Sequence, residues 1–131
     1  MILLDSNIPM YLVGPDHTHK TDARRLLDRF VSERQRLVTD AEVLQEILHR
    51  YWAINRRTTI QHAFDALLAV VDEVFPVDLK ALERAKQIVL AYTALSARDA
   101  VHLAIMEQQG IDRIFSFDKG FDRVPGVVRI S

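Results

Sequence analysis

The chain contains no cysteine. That excludes a disulfide framework and a thiolate metal centre, and it leans towards a reducing compartment. Long apolar runs are missing too: no stretch approaches the ~18–20 residues that a membrane-crossing helix needs. Residues 1–4 are too short for the hydrophobic region of a signal peptide and carry no basic flank. The expectation is a soluble, cytoplasmic protein with no membrane partner. Several catalytic signatures are also absent. There is no GxxxxGKS or GxxxxGKT phosphate-binding loop, and no GxGxxG follows the first apolar segment. A GxSxG nucleophile elbow is lacking. "LLDSN" has no second Asp two residues after Asp5, as the phosphatases that form an aspartyl-phosphate would have. No internal repeat, low-complexity tract or Pro/Gly-rich linker divides the chain.

What remains is an ordinary globular composition: 131 residues, 49% hydrophobic and 27% charged. The length suits a single domain, residues 1–131, large enough to bury a core. The formal charge of −1 lacks the basic excess usual in nucleic-acid binders. Arg nevertheless outnumbers Lys, with pairs at Arg24–Arg25 and Arg56–Arg57, and its planar fork is the better match for phosphate. A near-neutral total is compatible with an acidic pocket beside a basic rim.

The patterning alternates short apolar runs with helical segments. "ILL" at 2–4 ends at Asp5 and reads as a buried strand. "SNIPMYLV" predicts a short helix with Pro9 in its first turn, stopped by Gly14, Pro15 and Asp16. Between Thr18 and Arg34, Ala23, Leu26, Leu27, Phe30 and Val31 recur at helical spacing. "RLVT" at 36–39 is a second strand. Over 40–54, Val43, Leu44, Ile47, Leu48, Tyr51 and Trp52 form the stripe of another helix. Further helices are predicted over 59–70, 79–93 and 97–109, and strands over 73–77, 113–117 and 127–130. The sum is an α/β fold with a mainly parallel sheet of four to five strands. In such sheets ligands bind at the carboxyl ends of the strands, where "ILLD" and "FSFD" place Asp5 and Asp118.

Each acidic residue there has a plain structural role open to it. Asp5 can cap the helix that follows, or bind a cation. "TDAE" at 39–42 is a capping box with Thr39 as N-cap and Glu42 reaching back. Glu46, one turn further in, can pair with Arg50. "SARD" at 96–99 is again a capping box, Ser96 to Asp99, and opens the almost wholly apolar helix "AVHLAIM". Asp118 and Asp122 in "FSFDKGFD" suit a turn around Gly120, a residue able to take positive φ. Taken jointly, two acids end strands and two sit in early helical turns on the same sheet edge. Carboxylates that converge within ~4–6 Å repel one another unless a cation joins them. Oxygen ligands without Cys or paired His suit Mg²⁺ or Mn²⁺, and such a pocket is a device for cleaving phosphodiesters. "HTH" at 17–19 reads as a polar loop feature rather than a metal site. His102, inside the apolar helix, reads as a hydrogen-bonded core histidine.

"LLDSNIPMYL", "TDAEVLQEILHRY", "LSARDAVHLAIM" and "FSFDKGFDRVPGV", in that order along nearly the whole chain, resemble a PIN domain. More narrowly they resemble the VapC-type toxins of bacterial toxin–antitoxin pairs. The resemblance implies a three-layer α/β/α nuclease that cleaves RNA with Mg²⁺ or Mn²⁺ through a metal-activated water. It assigns the four catalytic acids to Asp5, Glu46, Asp99 and Asp118. It makes Asp5, Asp99, Asp118 and an auxiliary Asp122 metal ligands, and puts Asn7 and Ser116 behind them as supporting polar groups. Glu42, one turn from Glu46, stays with its capping role. A homodimer and a cognate VapB-type antitoxin, reaching into the site with a cationic side chain, are further expectations. Arg24, Arg25, Arg56, Arg57 and Arg98 are candidates for phosphate contacts, of which Arg98, Arg56 and Arg57 are preferred. Two rivals belong to other classes. A catalytically silent PIN-like module that binds RNA or protein would be expected to lack one or more of the acids. A receiver-type phosphotransfer domain would need an acidic pair beside Asp5 and a phospho-accepting Asp where the chain has Asp78 after a proline.

Overall fold

Ile2, Leu3 and Leu4 are all fully buried and form β1 (Ile2–Leu4), the middle strand of the fold. At about 1.5–3 kcal/mol per buried aliphatic side chain, these residues alone anchor the strand firmly. The computed structural model describes Met1–Ser131 throughout. The other strands are β2 (Leu37–Asp40), β3 (Glu73–Phe75), β4 (Arg113–Phe115) and β5 (Val128–Ile130). All pairings are parallel, in the order β3-β2-β1-β4-β5. Six helices connect or flank them: α1 (Asn7–Val13), α2 (Thr18–Ser32), α3 (Ala41–Ala53), α4 (Ile60–Leu68), α5 (Leu79–Ala91) and α6 (Ala97–Gln109). Short 3-10 turns occupy Arg57–Thr59 and Lys119–Arg123.

Alternate strand side chains enter opposite cores, as the pleat requires. Leu3, Val38 and Ile114 pack with α5 and α6, whereas Ile2, Leu4, Leu37 and Phe115 pack with α1 to α4. The α/β fold is therefore three-layered, helices on both faces of a parallel sheet, as the patterning predicts. In α6 every residue from Ala100 to Met106 is buried, which matches its unbroken apolar sequence. The sheet grows from β1 outward to β2 and β3, then resumes on the other side of β1 with β4 and β5. The direction of growth reverses between β1 and β4, and that switch point is where a crevice opens in open α/β sheets.

Two local expectations are corrected. Thr39 is not a helix N-cap. β2 runs one residue further, and the Thr39 hydroxyl is turned inward to donate to the Leu4 carbonyl at 2.9 Å. Asp40 caps α3 instead, its Oδ1 accepting from the Val43 amide at 2.9 Å. A β-branched residue suits the strand, and Asp is a strong N-cap, so the boundary moves by one residue. Gly120, for its part, does not have positive φ; only Gly110 and Gly126 among the glycines do. At Gly120 a Cβ would lie 3.1 Å from Asp118 Oδ1, so the close approach of that carboxylate is what favours glycine there.

Candidate active site

Asp5 leaves the carboxyl end of β1 and is almost fully buried. Its oxygens are held by three donors. The Ser6 amide donates to Oδ1 at 2.8 Å, and the Ser116 hydroxyl donates to Oδ2 at 2.6 Å. The Asn7 amide nitrogen reaches Oδ2 at 3.4 Å. Ser116 lies just past β4, so the two strands that flank the switch point supply an acid and its donor. The Ser116 oxygen also accepts from Asn7 Nδ2 at 3.2 Å and from the Asp118 amide at 3.0 Å. One hydroxyl proton and two lone pairs are thus fully used. Burial pushes the Asp5 carboxyl up from 3.8 to about 6, against the lowering effects of His102 and the Ser116 hydrogen bond.

Glu46 projects from the second turn of α3. Its Oε2 accepts from the Ser6 hydroxyl at 2.6 Å, and its Oε1 lies 2.5 Å from His102 Nε2. The alternative pair with Arg50 does not form; Ser6 and His102 engage the two Glu46 oxygens instead. His102 is fully buried in α6, and its Nδ1 faces Asp40 Oδ2 at 2.7 Å. Carboxylates only accept, so both ring nitrogens must carry protons to satisfy these contacts. Burial opposes that charge, but Asp40, through its field and its hydrogen bond, overcomes it together with Glu46 and Asp5. The imidazole is thereby held well above its ordinary range.

Asp99 sits in the first turn of α6, its amide donating to Ser96 Oγ at 3.1 Å as the capping box predicts. Burial raises its carboxyl, Ser96 counteracts, and the nearby Asp118 raises it further. Asp118 follows β4 and accepts from the Gly120 amide at 2.9 Å through Oδ1. Asp5, Glu46, Asp99 and Asp118 together line one cavity of about 320 Å³, with Ser6, Asn7, Met10, Arg50, Ser96 and Arg98. Behind its wall the fully buried His102 lies close to two of these acids: Asp5, Glu46 and His102 each present a ligand-type atom within 4.8 Å of the others.

A family model described as PIN domain matches residues 2–127. The chain belongs to the PIN-domain family. It is 59% identical over 131 residues, the whole of both chains, to ribonuclease VapC13 of Mycobacterium tuberculosis. Among solved structures it is similar to Mycobacterium tuberculosis VapC20, a sarcin–ricin loop cleaving toxin. That likeness has a TM-score of 0.75 and 23% identity, with 90% of each chain covered. It is also similar to VapBC2 from Rickettsia felis bound to a promoter DNA fragment, at TM-score 0.75 and 14% identity over 99% of this chain and 98% of that one.

Not every residue singled out in the sequence reaches the cavity of this PIN domain. Asp122 does not: its two oxygens are taken by Arg129 at 2.9 and 3.0 Å, and that hydrogen-bonded pairing lowers its carboxyl. Arg98 lines the cavity, whereas Arg56 lines a neighbouring one and Arg57 stacks on Trp52, 3.7 Å from the ring centroid. Arg25 pairs with Asp22, and Arg24 borders a separate apolar cavity. Glu42 makes no capping hydrogen bond. Burial raises its carboxyl, and Glu46 adds to the rise. Asp78 caps α5 by accepting from the Ala81 amide at 2.8 Å, which leaves the receiver reading without its phospho-acceptor. Sequence reasoning missed Ser6 and Asp40. It gave His102 a hydrogen-bonded core role without its partners, because Asp40 and Glu46 lie 62 and 56 residues away and no local spacing signals them.

Proposed function

We propose that this PIN domain is a divalent-cation-dependent endoribonuclease, the toxin of a toxin–antitoxin pair, that hydrolyses RNA phosphodiester bonds. The observation that carries the reading is the convergence of four acids from separate segments on one cavity at the carboxyl edge of the sheet. Full-length similarity to a protein named ribonuclease VapC13 supports it.

The donor set fits Mg²⁺ or Mn²⁺. Asp5, Asp99 and Asp118 offer hard oxygens, and the one histidine nearby is engaged at both nitrogens, which disfavours Zn²⁺. Burial raises the Asp5 and Asp99 carboxyls, with Glu46 adding to the first rise and Asp118 to the second; a bound cation would favour their charged forms. Asp5, Asp99 and Asp118 would hold the ion. When bound, it supplies positive charge to a phosphoryl oxygen and makes a water molecule more acidic. The chain's own residues do the rest. Ser6, Asn7 and Ser116 fix the Asp5 carboxylate before substrate arrives, so little reorganisation is needed during the reaction. His102 Nε2 holds the proton facing Glu46 Oε1 and keeps that side chain in one orientation. Arg98, at the cavity wall, contributes donors for a phosphate.

The substrate enters as an accessible single strand or loop, and the products carry a 5′-phosphate and a 3′-hydroxyl. The partners are RNA, a VapB-type antitoxin and a second copy of the chain in a homodimer, and the compartment is the cytoplasm. Similarity to the toxin–antitoxin assembly VapBC2 supports the antitoxin. The test is cleavage of total RNA with Mg²⁺, with Mn²⁺ or with EDTA, read by mapping new 5′ ends. Wild type should cut with either ion and not with EDTA, and a folded Asp5→Asn variant should not cut. Full activity in that variant, or in EDTA, would sink the assignment.

A further inference from the structure

A second cavity, of about 750 Å³, adjoins the acidic one and shares Asn7, Met10 and Arg50 with it. Its volume lies in the range of ligand pockets, about 300–1,000 Å³. Its charge differs from its neighbour's: Arg50 and Arg56 face only Asp16 among acids, and His17 adds a ring nitrogen. Neither arginine forms an ion pair. Arg50 is free because Ser6 and His102 occupy Glu46, its neighbour one turn back.

Arg56 is positioned by the way α3 ends. Asn55 adopts the left-handed conformation at φ 57. The Asn55 amide donates to the Trp52 carbonyl at 3.1 Å and the Arg56 amide to the Tyr51 carbonyl at 2.8 Å. This is a Schellman end with Asn in place of the usual Gly. On another wall, Tyr11 and His17 stand with ring centroids 5.1 Å apart. His17 is fixed because its Nδ1 accepts from the His19 amide at 3.0 Å and so caps α2. Behind them, His19 stacks on Phe117 at 4.1 Å. The "HTH" motif therefore builds an aromatic wall.

The geometry points to this cavity as the subsite for the nucleotide next to the cleaved phosphodiester. Arg50 and Arg56 take the backbone phosphate, and Tyr11 and His17 present aromatic surface to the base. The inference rests on the ribonuclease reading and adds a position to it. A strand with one phosphate in the acidic cavity must continue somewhere, and the contiguous cavity with excess positive charge is the electrostatically favoured exit. Aromatic side chains beside cationic ones form the usual platform for single-stranded nucleic acid.

The test uses full-length protein in two arms. In the first, a fluorescein-labelled, randomised twelve-nucleotide RNA pool is titrated onto Asp118→Asn protein with and without Arg50→Gln and Arg56→Gln. Losing the grip on that phosphate of a single strand should reduce the slope of log affinity against log salt by about 0.7. In the second, cut sites in total RNA are mapped for wild type and His17→Asn. Asn can still cap α2, so the fold stays while the ring goes. The base preference on one side of the cut should weaken, with other positions unchanged. Wild type that cuts RNA, with both slope and preference unmoved in the variants, overturns the subsite alone. Wild type that cuts nothing overturns the ribonuclease reading, and a reduced salt slope in that case would keep the cavity as an RNA site. If the variants instead escape a co-expressed VapB-type antitoxin with RNA behaviour unchanged, the cavity is a protein-docking site and the subsite is wrong.

Discussion

His102 on α6 and Glu46 on α3 meet with Nε2 and Oε1 2.5 Å apart, and the other ring nitrogen of His102 faces Asp40, the N-cap of α3, at 2.7 Å. One imidazolium thus ties a candidate catalytic acid to the residue that starts its own helix. Asp40 is fully buried and has no other cationic partner.

Replacing His102 by Gln should therefore be costly. A neutral amide cannot compensate two carboxylates, and removing one partner from a buried ion pair costs about 3–5 kcal/mol. Urea denaturation at neutral pH should show a loss of that order, together with a drop in RNA cleavage. A loss well under about 1 kcal/mol would mean that His102 is not charged in the folded protein.

Ser116→Ala removes a hydroxyl that serves three groups at once, Asp5, Asn7 and the Asp118 amide. Side chains that orient metal ligands typically contribute 10–100-fold to affinity or activity. Mn²⁺ titration by calorimetry should show a Kd weakened by about that factor, with the circular dichroism spectrum unchanged. Wild-type affinity in the variant would show that Asp5 needs no such support.

Asp122→Ala should leave Mn²⁺ affinity unchanged, because Arg129 already holds both oxygens of that carboxylate on the surface. A weakened Kd in the same calorimetric titration would return Asp122 to the set of ligands suggested by its spacing from Asp118.

These cases also show where the sequence was legible. Strands, helices and the positions of Asp5, Asp99 and Asp118 follow from local signals: apolar runs ending on acids, and a capping box. Glu46 needed the family resemblance, since its own neighbourhood favours a pair with Arg50. Several of the assignments that changed depend on what a neighbouring element presents, seven to sixty-two residues away in the chain. Thr39 turns towards Leu4 across the sheet, and Asp122 meets Arg129 on β5. His102 finds Asp40 sixty-two residues away. Periodicity gives which face a residue is on, but not what that face will meet.

The same buried charges set how stability varies with pH. Burial holds Asp5 at about 6 in the folded protein, against 3.8 unperturbed. With the folded value above the unfolded one, its contribution is fully present below about 4 and lost as pH rises through about 6. His102 is raised well above 6.5 in spite of its burial, chiefly by Asp40. Its contribution is present below 6.5 and lost as pH climbs through the higher folded value. The two effects have the same sign, and the Asp5 part alone is worth about 3 kcal/mol over its full span. Thermal unfolding in EDTA should therefore give a higher Tm at pH 5 than at pH 8. Adding Mn²⁺ at pH 8 should recover much of the difference, because a cation stabilises the ionised Asp5 that the fold alone disfavours. A Tm in EDTA that rises from pH 5 to pH 8 would contradict both the Asp5 and the His102 assignments.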